Sequence, residues 1–303
     1  LLMGFIPLSL VCGVLWSKTP RSLGRIIVER TNPILKGTRK PLEGSYIKTF
    51  SGVFCIFLSV LTFTLGFMLT DVSFYSLLSY EGIAGAQRIF VSIFTPEWSI
   101  LNVVLKAMVE TIFIALLATA IAIPIAFVVS FFAAKNLMKG SAFTLLMYNA
   151  LRFVFNFSRS IEPLIWAIIF SVWVGIGPFA GMLALMIHSI ASLIKLYSEQ
   201  IESIDYGPVE AIKATGANMI QVVWYAIVPQ VVLPFLSYTV YRWDINIRMA
   251  TIIGLVGGGG VGTLLMQYQG LAKWHEVGTI VVVIAVVVWF MDFLSAKLRE
   301  AIY

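Results

Sequence analysis

The chain has 303 residues, of which 59% are hydrophobic and only 12% are charged, and its mean hydropathy is +0.94. This composition excludes a single water-soluble domain, because soluble proteins carry about twice that share of charge, and it predicts a multi-pass membrane protein built from helices. The formal net charge of +6 would suit nucleic acid, but the placement of the basic residues favours another explanation.

The first segment, residues 1–16, is apolar but short for a crossing, so we expect at most a truncated first span there. We do not interpret it as a signal peptide, since no small-residue cleavage site follows Trp16. The two cysteines, Cys12 and Cys55, lie in apolar runs and predict neither a disulfide framework nor a metal site. They are expected to act as small buried hydrophobic residues.

Further along the chain, apolar runs of about the length that a bilayer requires predict the membrane helices. The predicted spans are 50–70, 111–134, about 159–176, about 179–200, about 228–255 and about 278–296. A turn at Gly175–Pro178 separates the third span from the fourth, since Gly and Pro together favour turns. We therefore expect an all-α bundle of six to seven membrane helices.

The basic residues predict the orientation of these spans, because Lys and Arg accumulate in cytoplasmic loops. The segments 17–49 and 135–159 are rich in Lys and Arg, whereas 71–106 is not, so the first two are predicted inside and the third outside. Alternation then places 200–227 and the C-terminus in the cytoplasm and 256–277 outside. Most of the positive charge is thereby explained by topology and anionic lipid, which argues against nucleic acid as a partner.

Two further helices are predicted at the membrane surface rather than across it. Residues 141–157 are apolar but lie between two cytoplasmic segments, so they predict an interfacial helix with Arg152 on its water-facing side. A similar outer helix is expected around Tyr80–Phe94.

The cytoplasmic loop at about 205–218 predicts a short exposed helix. Asp205 or Tyr206 can begin it, Glu210 lies near its positive end, and Gly216 favours a stop and reversal. Pro229 is expected to open the next membrane helix. A short helix held rigidly between two membrane helices can insert into a groove of a partner and transmit the partner's motion.

This loop resembles the "EAA" signature of permease subunits of bacterial ABC importers. Glu210 and Ala211, Gly216 six residues after the Glu, and Pro229 nineteen residues after it fall on the signature positions. Lys213 lies on the same expected contact helix. The sequence departs from the signature at three apolar positions, which are Ile212, Ala226 and Val228.

The resemblance extends over about 107–300 and is strongest to the phosphonate-transport (PhnE-like) permeases, through the stretches at 174–185, 210–218 and 241–248. It implies a type I importer fold in a bacterial inner membrane, with 101–303 as the permease core and 1–100 as an accessory region. It also implies a second permease copy, two ATPase subunits that bind ATP and Mg, and an extracytoplasmic substrate-binding protein. No cofactor and no catalytic activity are expected in this chain itself.

The predicted span 228–255 contains a cluster of polar residues, which are Arg242, Asp244, Asn246 and Arg248. Ionisable groups at membrane depth are costly and usually face a cavity or a partner. Asp244 and Arg248 are four residues apart and can pair, which leaves Arg242 as an excess cation. Two interpretations stay open: a positive pathway for a phosphorus oxyanion, or a structural ion-pair network. His188, on a charge-free helix, either faces the pathway or packs in the bundle.

Four consecutive glycines follow this span, namely Gly257, Gly258, Gly259 and Gly260, and together with Val261 and Gly262 the segment contains a match to G-x-G-x-x-G. A nucleotide site is rejected, because the segment follows a membrane helix rather than a strand and no phosphate-binding Lys follows. A flexible or tightly packed outer turn near a gate is expected instead. The alternatives to an ABC permease are an ion-gradient-driven transporter, which would leave the loop around Glu210 unused, and a membrane enzyme, for which no catalytic cluster is present.

Overall fold

The computed structural model describes residues 50–70, 73, 75 and 78–302, and it is helical through most of them, with no strand among these residues. The apolar run at 1–16 and the basic segment 17–49 lie outside the described residues. The chain divides into two compact units, 1–83 and 84–303. In the first unit, helix α1 (Phe50–Leu69) confirms a helix at the predicted segment 50–70.

Further α-helices follow along the chain. They are α2 (Tyr80–Phe94), α3 (Leu101–Phe132), α4 (Ala142–Ser160), α5 (Pro163–Val174), α6 (Pro178–Glu202), α7 (Tyr206–Ala214), α8 (Met219–Val222), α9 (Val228–Gly254), α10 (Gly260–Gly270) and α11 (Trp274–Ile302). The outer helix predicted at Tyr80–Phe94 is confirmed as a helix. Among the described residues, four stretches are long and apolar enough to cross a membrane: 98–132, 178–202, 219–254 and 274–302.

The predicted span at 159–176 is wrong as a single straight helix. The chain breaks at Ile161 and Glu162, which are both extended, and α4 and α5 meet at 90°. The break follows from Pro163, since a residue that precedes proline is disfavoured in the helical conformation. With only 12 residues, α5 is too short to cross a bilayer alone, so α4 and α5 together form one bent element.

Small side chains allow the central helices to approach closely. Ala115, Ala118, Ala122 and Ala126 recur every three or four residues on α3, and all are fully buried. This stripe lies in the interface with α6, against which α3 packs most extensively. In lipid such small-residue contacts replace the hydrophobic effect as the source of helix association, so the α3–α6 pair forms the centre of the bundle.

Arg152 in α4 is half-buried and paired, and its place on a water-facing side of the helix stays a prediction. Its Nε donates to the carbonyl of Ala133 at 3.0 Å, and its Nη2 pairs with Glu202 Oε1 at 2.6 Å. The backbone N–H of Lys135 donates to the same carboxylate oxygen at 2.7 Å. A guanidinium is favoured there because the last carbonyls of a helix lack partners and carry negative partial charge. Arg152 therefore joins the middle of α4 to the C-terminal ends of α3 and α6.

Candidate functional site

Helix α7 begins and ends where the sequence predicts. Asp205 is its N-cap, with Oδ1 accepting from the N–H of Gly207 at 3.0 Å. The helix ends at Ala214, and Gly216 then takes a positive φ of 81° that lets the chain reverse without strain. These local signals give a rigid nine-residue helix.

The two faces of α7 differ sharply in burial. Val209 is only 4% exposed, and Ile212, three residues later, is half-buried; both pack into the apolar core that α7 shares with the C-terminal part of α6 and the start of α9. The side chains of Glu210, Ala211 and Lys213 are exposed. Because residues three apart share a helix face, the apolar pair anchors the helix and leaves the signature residues free for a partner.

After Gly216 the chain returns to the membrane through a helical segment that begins before Pro229. Asn218 and Gln221 form a reciprocal capping box at the start of α8. A single π-helical turn, Val223–Ile227, then leads into α9. Pro229 lies in the first turn of α9 as predicted, but the stretch 219–254 is helical throughout. Such a π turn is a frequent device at functional sites.

Within α9 the polar residues separate into two groups. Asp244 is buried and forms an ion pair with Arg248, as its spacing predicted. Arg248 also lies 3.8 Å from Asp292 of α11. The four charges Arg242, Asp244, Arg248 and Asp292 therefore cancel, so the excess cation expected from α9 alone is offset by a residue from another helix.

The second group is a buried polar cluster between α3, α6 and α9. Arg242 Nε donates to Ser189 Oγ at 3.2 Å. Asn246 Nδ2 donates to the same Ser189 oxygen at 2.7 Å and to Thr119 Oγ1 at 2.8 Å. Arg242 is 6% exposed and Asn246 is 0% exposed, and neither Arg242 Nη2 nor Asn246 Oδ1 has a hydrogen-bond partner among the described residues. Buried polar atoms normally find partners, so this cluster has unused capacity for one.

His188 is half-buried next to this cluster. Its Nδ1 lies 3.3 Å from the carbonyl oxygen of Ile161, at the break between α4 and α5. The contact favours a packing role, in which the ring supports the bend. The position of His188 beside the pathway stays a prediction.

The four glycines form a tightly packed segment. Gly257, Gly259 and Gly260 have positive φ values of 89°, 79° and 70°. A Cβ on Gly259 would lie 2.7 Å from Pro178, and a Cβ on Gly181 would lie 2.3 Å from the carbonyl oxygen of Gly258. Only glycine satisfies both the backbone conformation and the lack of space.

Side chains of α3 hold the start of α10. Glu110 Oε1 accepts from the N–H of Gly260 at 3.1 Å, and Thr111 Oγ1 accepts from the N–H of Val261 at 2.8 Å. These two bonds satisfy N–H groups that have no partner within α10. The carboxylate also suits the positive end of a helix.

The tightly packed alternative for this turn is the one observed, and the segment 256–277 also contains helix α10; its position outside the membrane stays a prediction. Thr111 lies ten residues into α3, so the glycines sit about 15 Å along that helix from its N-terminal end. At the far end of the segment, the carbonyl of His275 accepts from the N–H of Glu97, just before α3. Helix α10 thus begins beside Thr111, and the segment leads back toward the N-terminal end of α3.

Comparison with known proteins identifies the architecture. Residues 126–302 match the family described as "Binding-protein-dependent transport system inner membrane component". The chain belongs to this family. The match begins inside α3 and includes α7, the α6 and α9 residues of the polar cluster, and the glycine segment. The resemblance to ABC importer permeases is thereby confirmed, and the protein is a multi-pass membrane subunit of a transport system.

Curated relatives support the assignment. A putative phosphite transport system permease protein, HtxC of Stutzerimonas stutzeri, is 33% identical over 222 residues, which cover 72% of this chain and 77% of the relative. The phosphite transport system permease protein PtxC of the same species is 37% identical over 205 residues, covering 68% and 73%. The phosphate-import permease protein PhnE of Mycolicibacterium smegmatis is 35% identical over 213 residues, covering 70% of this chain and 39% of that relative.

A solved structure confirms the fold. A chain of the inward-facing MetNI methionine ABC transporter superposes with a TM-score of 0.53 at 21% identity, covering 68% of this chain and 97% of that chain. The predicted all-α, type I importer permease fold is therefore confirmed. The boundary near residue 100 stays a prediction. Among the described residues, no group of three or more His, Cys, Asp or Glu side chains could hold a metal ion.

Residues outside the predicted set also take part in these sites. Gln230, Glu110, Thr111 and Asp292 each contact a site residue from a distant point of the chain. The sequence could have indicated Gln230, Glu110 and Asp292, since a charged or amide side chain within or beside an apolar span is unusual. Thr111 offered no such signal.

Proposed function

We propose that this chain forms the translocation pathway of an ATP-driven importer for a phosphorus oxyanion, namely phosphonate, phosphite or phosphate. It would act as a dimer in the bacterial inner membrane, with its C-terminus and α7 in the cytoplasm. Two ATPase subunits, which carry ATP and Mg, and an extracytoplasmic binding protein would complete the transporter. The names of the three relatives above support this substrate class, and the family description supports a binding-protein partner.

The observation that carries the coupling role is the two-faced helix α7. Val209 holds the helix to the bundle, while Glu210, Ala211 and Lys213 are exposed. An ATPase groove that accepts α7 would contact these side chains, and Gly216 would set the angle at which the chain leaves. ATP can favour one orientation of the permease only if the ATPase contacts α7 differently in the two states.

For the anion, we assign the leading role to Arg242. Its Nη2 has no partner among the described residues, so a passing oxyanion could accept its hydrogen bond. Arg248 contributes less, because Asp244 and Asp292 offset its charge. Asn246 and His188 would line the wall beside Arg242, and the glycine segment 257–260 would form part of the outer gate.

The test is uptake by the complete transporter, with permease, ATPase and binding protein reconstituted in vesicles. Labelled phosphite, phosphate and methylphosphonate are offered singly, with methionine as the comparison solute. Import of at least one phosphorus oxyanion that requires ATP and survives an ionophore is expected. Uptake of methionine alone would overturn the substrate class, whereas ionophore-sensitive uptake without ATP would overturn the energy source.

A second arm tests Arg242 directly. R242Q retains a side chain of hydrogen-bonding capacity but removes the charge, and R242K retains the charge without the fork. With assembly intact, uptake is expected to fall strongly for R242Q and less for R242K, because the field of the cation is kept. Unchanged uptake by R242Q would assign Arg242 a structural role only.

A further inference from the structure

Gln230 bridges the start of the coupling helix and the base of the membrane helix α9. Its Oε1 accepts from the backbone N–H of Asp205 at 3.0 Å, and its Nε2 lies 3.3 Å from the carbonyl of the same residue. The Nε2 also donates to the carbonyl of Ala226 at 2.7 Å, one turn earlier in the same helical stretch. The amide of Gln230 therefore holds the backbone at Ala226 and also at Asp205, which lies 25 residues before Gln230 in the sequence.

The gripped residue is the one that orients α7. Asp205 is the N-cap of that helix, and its side chain is already engaged with Gly207. Gln230 holds the backbone of Asp205 on both its N–H and its C=O, so the entry angle of α7 is tied to the position of α9. Gln230 directly follows Pro229, the last signature residue. It thus contacts Asp205, which lies just before Glu210, the first signature residue.

The covalent route between the same two helices is longer and softer. It runs from Ala214 through the positive-φ Gly216, the capped helix α8 and the π turn Val223–Ile227 before α9 begins. Motion that entered α7 along this route alone would be absorbed by a glycine reversal and a π turn. The amide bridge is a shorter path than the chain itself.

We propose that Gln230 is the positioning residue that transmits the motion of α7 to α9. The proposal rests on the coupling role given above to α7. It assigns the joint to a side chain that lies outside the signature positions Glu210, Ala211, Gly216 and Pro229. Glutamine fits the role because the joint needs one acceptor and donors on the same planar group.

Two substitutions separate the parts of the bridge. Q230A removes all three bonds, whereas Q230E keeps the acceptor for the Asp205 N–H but points carboxylate oxygens at the carbonyls of Asp205 and Ala226. The matched control is Q221A, because Gln221 bonds only to Asn218 within its own capping box. All variants are studied in the complete transporter, with ATP hydrolysis and solute uptake measured on the same preparation.

If the Gln230 contact transmits motion, its loss should leave ATP hydrolysis active while solute transport stops. We expect Q230A to retain ATPase activity but to lose about tenfold in solute imported per ATP, a typical coupling between sites. Q230E should lie between Q230A and the native chain, and Q221A should match the native ratio. An unchanged ratio in Q230A overturns the proposal. If neither Q230A nor Q230E assembles with the ATPase, Gln230 is a folding residue and the proposal is equally overturned.

An E210A variant, measured in parallel, distinguishes this failure from failure of the coupling role itself. If E210A lowers both ATP hydrolysis and uptake while Q230A leaves the ratio unchanged, α7 is the docking helix and only the joint is misassigned. If E210A has no effect, α7 does not receive the ATPase and the proposed function is wrong at its first step.

Discussion

Substituting Gly181 by alanine tests the packing of the glycine segment, because local propensity and tertiary structure predict opposite signs. Gly181 lies within α6, where Gly to Ala alone would stabilise the helix by about 1 kcal/mol. The added Cβ would, however, lie 2.3 Å from the carbonyl oxygen of Gly258 and 3.1 Å from its carbonyl carbon. Ordinary contact requires a shift on the order of 1 Å.

That shift falls on backbone with little room to move. Gly259 is itself packed against Pro178, at 2.7 Å from a Cβ placed on Gly259. Overpacking of this kind costs about 1–3 kcal/mol, which exceeds the propensity gain. We therefore expect G181A to unfold at a lower temperature in detergent than the native chain, and to slow transport if the glycine segment forms the gate.

The matched control is Gly85 in α2, where a Cβ meets nothing within 4 Å. G85A should be neutral or stabilising, since only helix propensity acts there. The assay is thermal unfolding of the purified permease, followed by loss of the monodisperse peak on size-exclusion chromatography. A G181A protein as stable as G85A would refute the packing argument, because α6 and the glycine segment would then lie further apart than the structure places them.

Three further predictions concern the ends of the helices. R152A leaves the carbonyl of Ala133 unpaired and should destabilise the chain by about 1–3 kcal/mol, measured by the same unfolding assay; full stability would show that water replaces the guanidinium. T111V removes the acceptor for the N–H of Val261 and should lower stability by a similar amount, with unaltered stability contradicting the cap on α10. A single cysteine that replaces Lys213 should be labelled by a membrane-impermeant reagent only in inside-out vesicles. Labelling in right-side-out vesicles would place α7 outside the cell and contradict its proposed cytoplasmic position.

The sequence predicted α7 well because its signals are local. Asp205 caps the helix within two residues, and Gly216 ends it by its own backbone freedom. The bond from Gln230 to Asp205 could not be predicted in the same way, since it joins residues 25 apart and depends on how two helices pack. The coupling signature could therefore be predicted from one sequence, whereas the contact between Gln230 and Asp205, which joins it to α9, could not.

Two other differences arise from the same distinction between local and tertiary information. The break before Pro163 follows from a local signal, because proline disfavours the helical conformation at the preceding residue, whereas the apolar length of the segment at about 159–176 predicted a single span. The partners of Arg152 could not be predicted from the sequence, since Ala133 precedes it by 19 residues at the end of α3 and Glu202 follows it by 50 residues at the end of α6. A basic residue on an apolar helix predicts an interfacial role by default, and only packing reveals a helix cap.

Helix α9 connects the three features to which we assign roles in transport. Gln230 lies at its base, Arg242 and Asn246 lie in its middle, and Gly254 lies at its end, about 36 Å from Gln230 along the helix axis. A Cβ on Gly254 would lie 2.6 Å from the carbonyl oxygen of Gly259 and 2.7 Å from the Cα of Gly262 in α10. The end of α9 is therefore in direct backbone contact with the glycine segment and the start of α10. Close packing of this kind resists continuous deformation and favours discrete arrangements. A displacement imposed on α9 at Gln230 would therefore reach the buried arginine and the glycine segment through a single helix, without a separate relay of side chains.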